Sequence, residues 1–323
     1  MGRLPFDDVA IGLLYLFANC TMLPVYVVFL IIFKTKKNYR NSLTFTIMFY
    51  LGVLECVQLV SGIQSGIMTL SNSTVNFYFE LVKTIKNKAK RCVQIGGGFN
   101  CVGLFGRPMF LLILALNRCF VIMNVPLKKT TEAVLFKVLL CLAVVLCFGY
   151  FSWRMTHTGR SFYLLEYDIF KPHIMDFSLV IKDVTITADM AAIFLACFLY
   201  LSIVVHIIYQ RRKSCFIRAR STDLPVILQG FITLGHVVVV RCGAGNVYDT
   251  LLHFRAANIG FIVWLEVMSM INPIFYLVFV ESLRNSFKEF LGLQFLGVIY
   301  VKRSSISNTD IHVNQARRIS RHI

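Results

Sequence analysis

Seven apolar runs punctuate the chain, each near the length of about 20 residues that an α-helix needs to cross the hydrocarbon core of a bilayer. They extend approximately from Val9 to Phe33, Leu43 to Leu70, Val93 to Val125, Ala133 to Phe151, Ile186 to Tyr209, Leu224 to Val240 and Ala257 to Val280. So much apolar sequence in so short a chain excludes an ordinary soluble fold, and the composition agrees: 57% of the 323 residues are hydrophobic and 15% charged. The expected architecture is an all-α membrane protein, a bundle of seven transmembrane helices over residues 1–281. A tail, 282–323, follows it. The sixth run is the weakest, because its apolar core is short before Arg241 and Gly230, Gly235, Gly243 and Gly245 lower helix propensity. The first run has few charges before it and no small-residue cleavage pattern after it, and reads as a retained helix.

Orientation follows from the basic residues in the short connections. Lys34, Lys36, Lys37 and Arg40 follow span 1, Lys128 and Lys129 follow span 3, and Arg211, Arg212, Lys213, Arg218 and Arg220 follow span 5. The tail adds Arg284, Lys288, Lys302, Arg303, Arg317, Arg318 and Arg321 on the same side. That side is expected to be cytoplasmic, with the N-terminus outside. The formal charge of +17 lies in these clusters rather than along one face of a domain, so nucleic-acid binding is excluded. One stretch opposes the rule: Lys83, Lys86, Lys88, Lys90 and Arg91, with Glu80, lie between spans 2 and 3 on the expected outer face. It reads either as a solvated basic turn or as an insertion from a mis-spliced gene model. The outer face also receives the glycosylation sequon at Asn72, whereas the one at Asn19 falls inside span 1.

Polar residues within the spans are costly and face the bundle interior. Glu55 lies about 18 Å along span 2 from its inner end, and Arg107 about 16 Å above Arg118 on span 3, at a rise of 1.5 Å per residue. Asn272 has a similar depth on span 7. Pairing of Arg107 with Glu55 is expected, since an unpaired buried charge costs several kcal/mol; separate satisfaction by backbone or water is the alternative. Glu266, Ser269, Asn272 and Tyr276 share one helical face, and Pro273 frees backbone carbonyls for neighbouring polar groups such as Asn272 and Tyr276, which favours a helix built to bend. Nearer the outside, Glu266, His236, Asp189 and Asn100 are the candidates for a ligand pocket, each also readable as a hydrogen-bonded packing residue. The ten cysteines have no metal-binding spacing, and no phosphate loop, zinc-protease or nucleophile-elbow motif is present. No enzyme activity and no cofactor or metal is expected.

Three landmarks occur in order. Leu51 to Glu55 in span 2, Asn117-Arg118 at the inner end of span 3 and Asn272-Pro273-x-x-Tyr276 in span 7 resemble the corresponding signatures of rhodopsin-like G-protein-coupled receptors. More narrowly, LLILALNRCFVIM, the Leu-Pro of span 1 with the KTKKNYRNS loop, and NPIFYLVFVESLRNSF resemble the nematode serpentine chemoreceptors, class T above all, over spans 1 to 3 and span 7. The resemblance implies a plasma-membrane receptor of chemosensory neurons, placed in sensory cilia. Such a receptor binds a small environmental molecule among its outer helix halves and activates a heterotrimeric G protein. It implies a coupling role for Arg118, Asn117, Arg211, Arg212 and Lys213, and an activation switch at Asn272, Pro273 and Tyr276. It further implies a sodium ion on the span 2 acid, a place that the Arg107 guanidinium is expected to take here.

The chain departs from the rhodopsin-like pattern at several points. Asn117 replaces the acid that would pair with Arg118. The segment from Trp153 to Thr185 has no cysteine for the usual outer disulfide, which leaves Cys92 with Cys242 as an open pairing. Span 6 has no proline. Basic residues interleaved with Phe216 and Ile217 over 210–221 suit anionic lipid or an acidic protein surface equally. Leu283, Phe287, Phe290 and Leu291, beside Arg284 and Lys288, predict an amphipathic helix on the membrane surface. The rival class is a transporter or a ligand-gated channel subunit. It draws little support from an odd number of spans without an internal repeat.

Overall fold

The computed structural model describes residues 6–71, 75–123, 125–126, 128–156, 161–164, 169–172, 176–213, 230–232, 234–235, 237–239, 264 and 271–292. Their elements are α1 (Phe6–Thr35), α2 (Lys37–Arg40), α3 (Leu43–Ser71), α4 (Val75–Ile122), α5 (Lys129–Arg154), a hairpin of β1 (Ser161–Leu164) and β2 (Ile169–Pro172), and α6 (Asp176–Lys213). A short apolar helix, α7 (Gly230–Val239), precedes α8 (Ile271–Phe279) and α9 (Glu281–Phe290). The chain divides into two compact units, Met1–Phe275 and Tyr276–Ile323.

Among the described residues, five helices are long and apolar enough to cross a membrane: Val9–Thr35, Leu43–Leu70, Gln94–Ile122, Thr130–Arg154 and Asp183–Gln210; most of the sixth expected span and the first half of the seventh lie outside the described residues. The outward face of these helices is that of a membrane protein. On α5, Val134, Val138, Leu142, Val145 and Phe148 are exposed at intervals of three and four, and on α6 so are Phe194, Phe198, Leu201 and Val205. A soluble protein could not leave such stripes in water, whereas lipid chains solvate them. The chain is a helical membrane protein.

Within the first unit α4 is the central helix. It packs against α3, α5 and α6, while α1 packs on α3. The most apolar window of α4 is 61% buried, against 22–33% in the other four spans. Lipid removes the hydrophobic drive between helices, so close approach rests on small residues and polar contacts. Gly12 and Gly66 bring α1 and α3 together: a Cβ on Gly66 would stand 3.0 Å from the Gly12 carbonyl oxygen and 2.9 Å from Cβ of Tyr15. At the other end of that pair, Tyr39 of α2 is buried with its ring 4.7 Å from Phe45 and 6.3 Å from Phe33.

The stretch holding Lys83 to Arg91 is helical, not a turn. It continues α4 without a break from Val75 into the membrane-length segment. No proline or glycine interrupts residues 75–95, and Lys, Glu, Leu and Ala are good helix formers, so a helix begun by the span propagates outward. Helix α6 likewise carries Arg211, Arg212 and Lys213 in its final turn rather than in a loop. Cations are favoured there by the helix dipole.

In the second unit α9 buries Leu283 and Ser286 and exposes Phe290. Leu291 caps the helix rather than belonging to it. Gly292 follows at φ 69°, with its amide donating to the Glu289 carbonyl at 3.1 Å.

Candidate functional site

Three buried polar residues of the first unit meet in one place. Glu55 of α3 is 2% exposed and Arg107 of α4 is 4% exposed. Arg107 Nη2 donates to Glu55 Oε2 at 2.5 Å and to Gln58 Oε1 at 2.8 Å. Asn272 Nδ2, from α8, donates to Glu55 Oε1 at 3.4 Å. Both carboxylate oxygens are therefore engaged, one by a cation of α4 and the other by an amide one residue before Pro273. In a low dielectric this closes the charge balance of the layer, which neither ion could bear alone.

Helix periodicity explains why these groups converge. Glu55 and Gln58 lie one turn apart on the face of α3 that meets α4. Opposite them α4 presents Gly103, where a Cβ would come within 3.2 Å of Gln58, so the missing side chain makes room for the amide. The same seam continues toward the far end of α3. Ser61 Oγ donates to the Gly96 carbonyl at 2.9 Å, Ser65 Oγ to the Ser61 carbonyl at 3.1 Å, and Thr69 is buried beyond them. Pro108, next to Arg107 and buried, has no amide hydrogen for the carbonyl one turn back, which removes one backbone bond of α4 beside the ion pair.

Toward the opposite end of α4, Asn117 and Arg118 part company. Asn117 is 1% exposed, and its Oδ1 accepts from Thr44 Oγ1 of α3 at 2.8 Å. Arg118 instead lies within electrostatic reach of the Tyr200 hydroxyl on α6. That hydroxyl is buried without a hydrogen-bond partner among the described residues, and the Tyr200 ring sits against Gly230 and 5.3 Å from Phe231, both of α7. Arg118 thus stands where α4, α6 and α7 come together.

Of the expected ligand-pocket residues, Asp189 and Asn100 lie among the described residues. Asp189 is fully buried, within electrostatic reach of the Cys147 thiol, and Cys147 packs on Gly106 beside Arg107. Asn100, half-buried, lies seven residues before Arg107, about 10 Å farther along α4. His236, Glu266 and the sequon residue Asn72 lie outside the described residues, as do Cys242 and the basic run from 214 to 221. Pro273 and Tyr276 are buried in α8, and the segment 265–270 leading into that helix lies outside the described residues. Among the described residues no group of three or more His, Cys, Asp or Glu could hold a metal.

Gln58, Thr44 and Tyr200 are the participants that sequence reading missed. Gln58 carried a signal, one turn from Glu55 in an otherwise apolar run. Thr44 and Tyr200 carried none, because Thr and Tyr at a span end are ordinary and their partners are on other helices. No family model matches the chain, and no curated protein matches it either.

Proposed function

We propose that the chain is a seven-span receptor, N-terminus outside, that couples a small-molecule ligand among its outer helix halves to a heterotrimeric G protein, after the manner of the class T serpentine chemoreceptors. The buried Glu55–Arg107 pair, touched by Asn272 immediately before Pro273, is the observation that carries this reading. A charged layer of this kind is expensive in a membrane and has no use in a passive scaffold. It links three helices through one carboxylate, so a ligand that moves one of them changes the electrostatics of the other two.

Two further features support the reading. Arg118 lies within electrostatic reach of Tyr200 on α6, and the residue before it is an asparagine bonded to Thr44. The amphipathic α9 carries Arg284 and Lys288 and suits the membrane surface. On this reading the protein resides in the plasma membrane, in sensory cilia, with the basic ends of α6 and the tail in the cytosol.

The test is signalling by Arg118→Ala, read as calcium or cAMP in cells challenged with an odorant panel, with surface expression measured alongside. The expected outcome is loss of signalling at near-normal surface density, because a charge at the interface contributes little to insertion. Wild-type signalling by the variant would remove Arg118 from the coupling role.

A further inference from the structure

The turn between α1 and α3 is short, basic and unusually well held. The membrane-length part of α1 ends at Thr35 and that of α3 begins at Leu43, so residues 36–42 lie where both spans leave the hydrocarbon. Lys37 and Arg40 are exposed there together with Asn38 and Asn41, and Lys34 is exposed in the last turn of α1 just before them. No acidic residue occurs between Asp8 and Glu55, so the positive field of the turn has no local counter-charge in the sequence.

Its backbone is fixed at both ends. The Lys36 amide donates to the Ile32 carbonyl at 3.1 Å, the Arg40 amide to Lys36 at 3.0 Å, the Ser42 amide to Tyr39 at 3.0 Å and the Thr46 amide to Ser42 at 3.0 Å. The buried ring of Tyr39 anchors α2 between Phe33 and Phe45. Three cations are therefore displayed from a rigid turn at headgroup depth, where a mobile loop would have to lose conformational freedom before binding an anion.

We propose that Lys34, Lys37 and Arg40 form a binding site for a phosphomonoester-bearing phospholipid headgroup, such as that of a phosphorylated inositol lipid. A phosphomonoester carries about −1.5 to −2 charges, which three clustered cations neutralise and a singly charged headgroup does not. The Arg40 guanidinium matches two phosphate oxygens at once, while the lysines contribute point charge. The proposal rests on the two spans crossing the membrane and on the orientation proposed above, which puts this turn on the cytosolic side, where phosphorylated inositol lipids lie.

The experiment uses the full chain in phosphatidylcholine nanodiscs, which offer lipid in both leaflets and so read the site whatever the orientation. Phosphatidylinositol bisphosphate and phosphatidylserine are added at matched total charge, and bound lipid is counted by native mass spectrometry. The inositol lipid is expected to bind about tenfold more tightly than phosphatidylserine. Combining Lys37→Gln with Arg40→Gln should weaken it by about tenfold or more, in line with the contribution of each cation at a charged surface. Tyr39→Ala keeps every charge and should also weaken binding, whereas Tyr39→Phe should not. Equal binding of both lipids, or a Tyr39→Ala variant that melts like wild type and binds like it, would reduce the site to diffuse charge and overturn the proposal. Soluble inositol trisphosphate binding as tightly as the lipid, or signalling lost in the double variant with lipid binding intact, would likewise overturn it in favour of a free phosphate ligand or a protein contact.

Discussion

Glu55 accepts from two helices at once, and its ion pair is worth more as a pair than as two residues. Removing one partner leaves the other charge buried, at about 3–5 kcal/mol, while removing both leaves no orphan. Glu55→Gln and Arg107→Met alone should therefore traffic poorly, and the double variant should regain part of the surface expression. A double-mutant cycle on expression and thermal stability reads this directly, and additive losses would mean the contact carries no coupling. With the guanidinium as a resident cation, signalling is expected to be indifferent to extracellular sodium. A second residue-scale prediction concerns Asn117, which faces Thr44 rather than restraining Arg118. Asn117→Asp puts an acid beside Arg118 and should lower ligand-independent signalling; an unchanged basal level at equal expression would count against residue 117 as a control point for Arg118.

Among the elements, α1 and α3 depend most on what is missing from their contact face. Gly66 meets the Gly12 carbonyl and Tyr15 with no space for a side chain. Gly66→Val should destabilise by about 1–3 kcal/mol, the usual cost of overpacking, seen as a lower melting temperature in detergent. A variant as stable as wild type would show that α1 can shift without penalty. The same packing logic accounts for α4. Its Gly103 admits Gln58 to the ion pair, so one helix supplies both the cation and the opening through which the neighbouring helix reaches it. The α4 extension through the basic stretch shows propensity outweighing charge: five cations in nine residues did not prevent a helix that was already nucleated.

For the whole molecule, the strongest statement is physical solvation. Among the described residues, exposed apolar stripes lie on the outward faces of helices whose buried core is itself mostly apolar, so the outward face is what differs from a soluble bundle. Orientation is a matter of the connections, and the sequon at Asn72 makes it measurable. With the N-terminus outside, the mature protein should show a glycosidase-sensitive mass shift that vanishes in Asn72→Gln. Cytosolic labelling of an N-terminal tag would sink the receptor reading together with its orientation.

Membrane class, the approximate positions of five spans and the pairing of Glu55 with Arg107 were legible in the linear sequence, because hydrophobic length and the cost of a buried charge are local properties. Glu55 and Arg107 could be matched by depth alone, since rise per residue converts position into height. What depth cannot supply is rotation about the helix axis. Asp189 and Asn100 were grouped from their positions along the chain, and only the packing of α6 brought Asp189 within electrostatic reach of the Cys147 thiol of α5. Asn117 stands where an acid would pair with Arg118, and only the packing of α3 against α4 shows that its partner is Thr44. Which polar group meets which depends on the faces that the helices turn to one another, and those are set by the glycine contacts and ring packing of the assembled bundle.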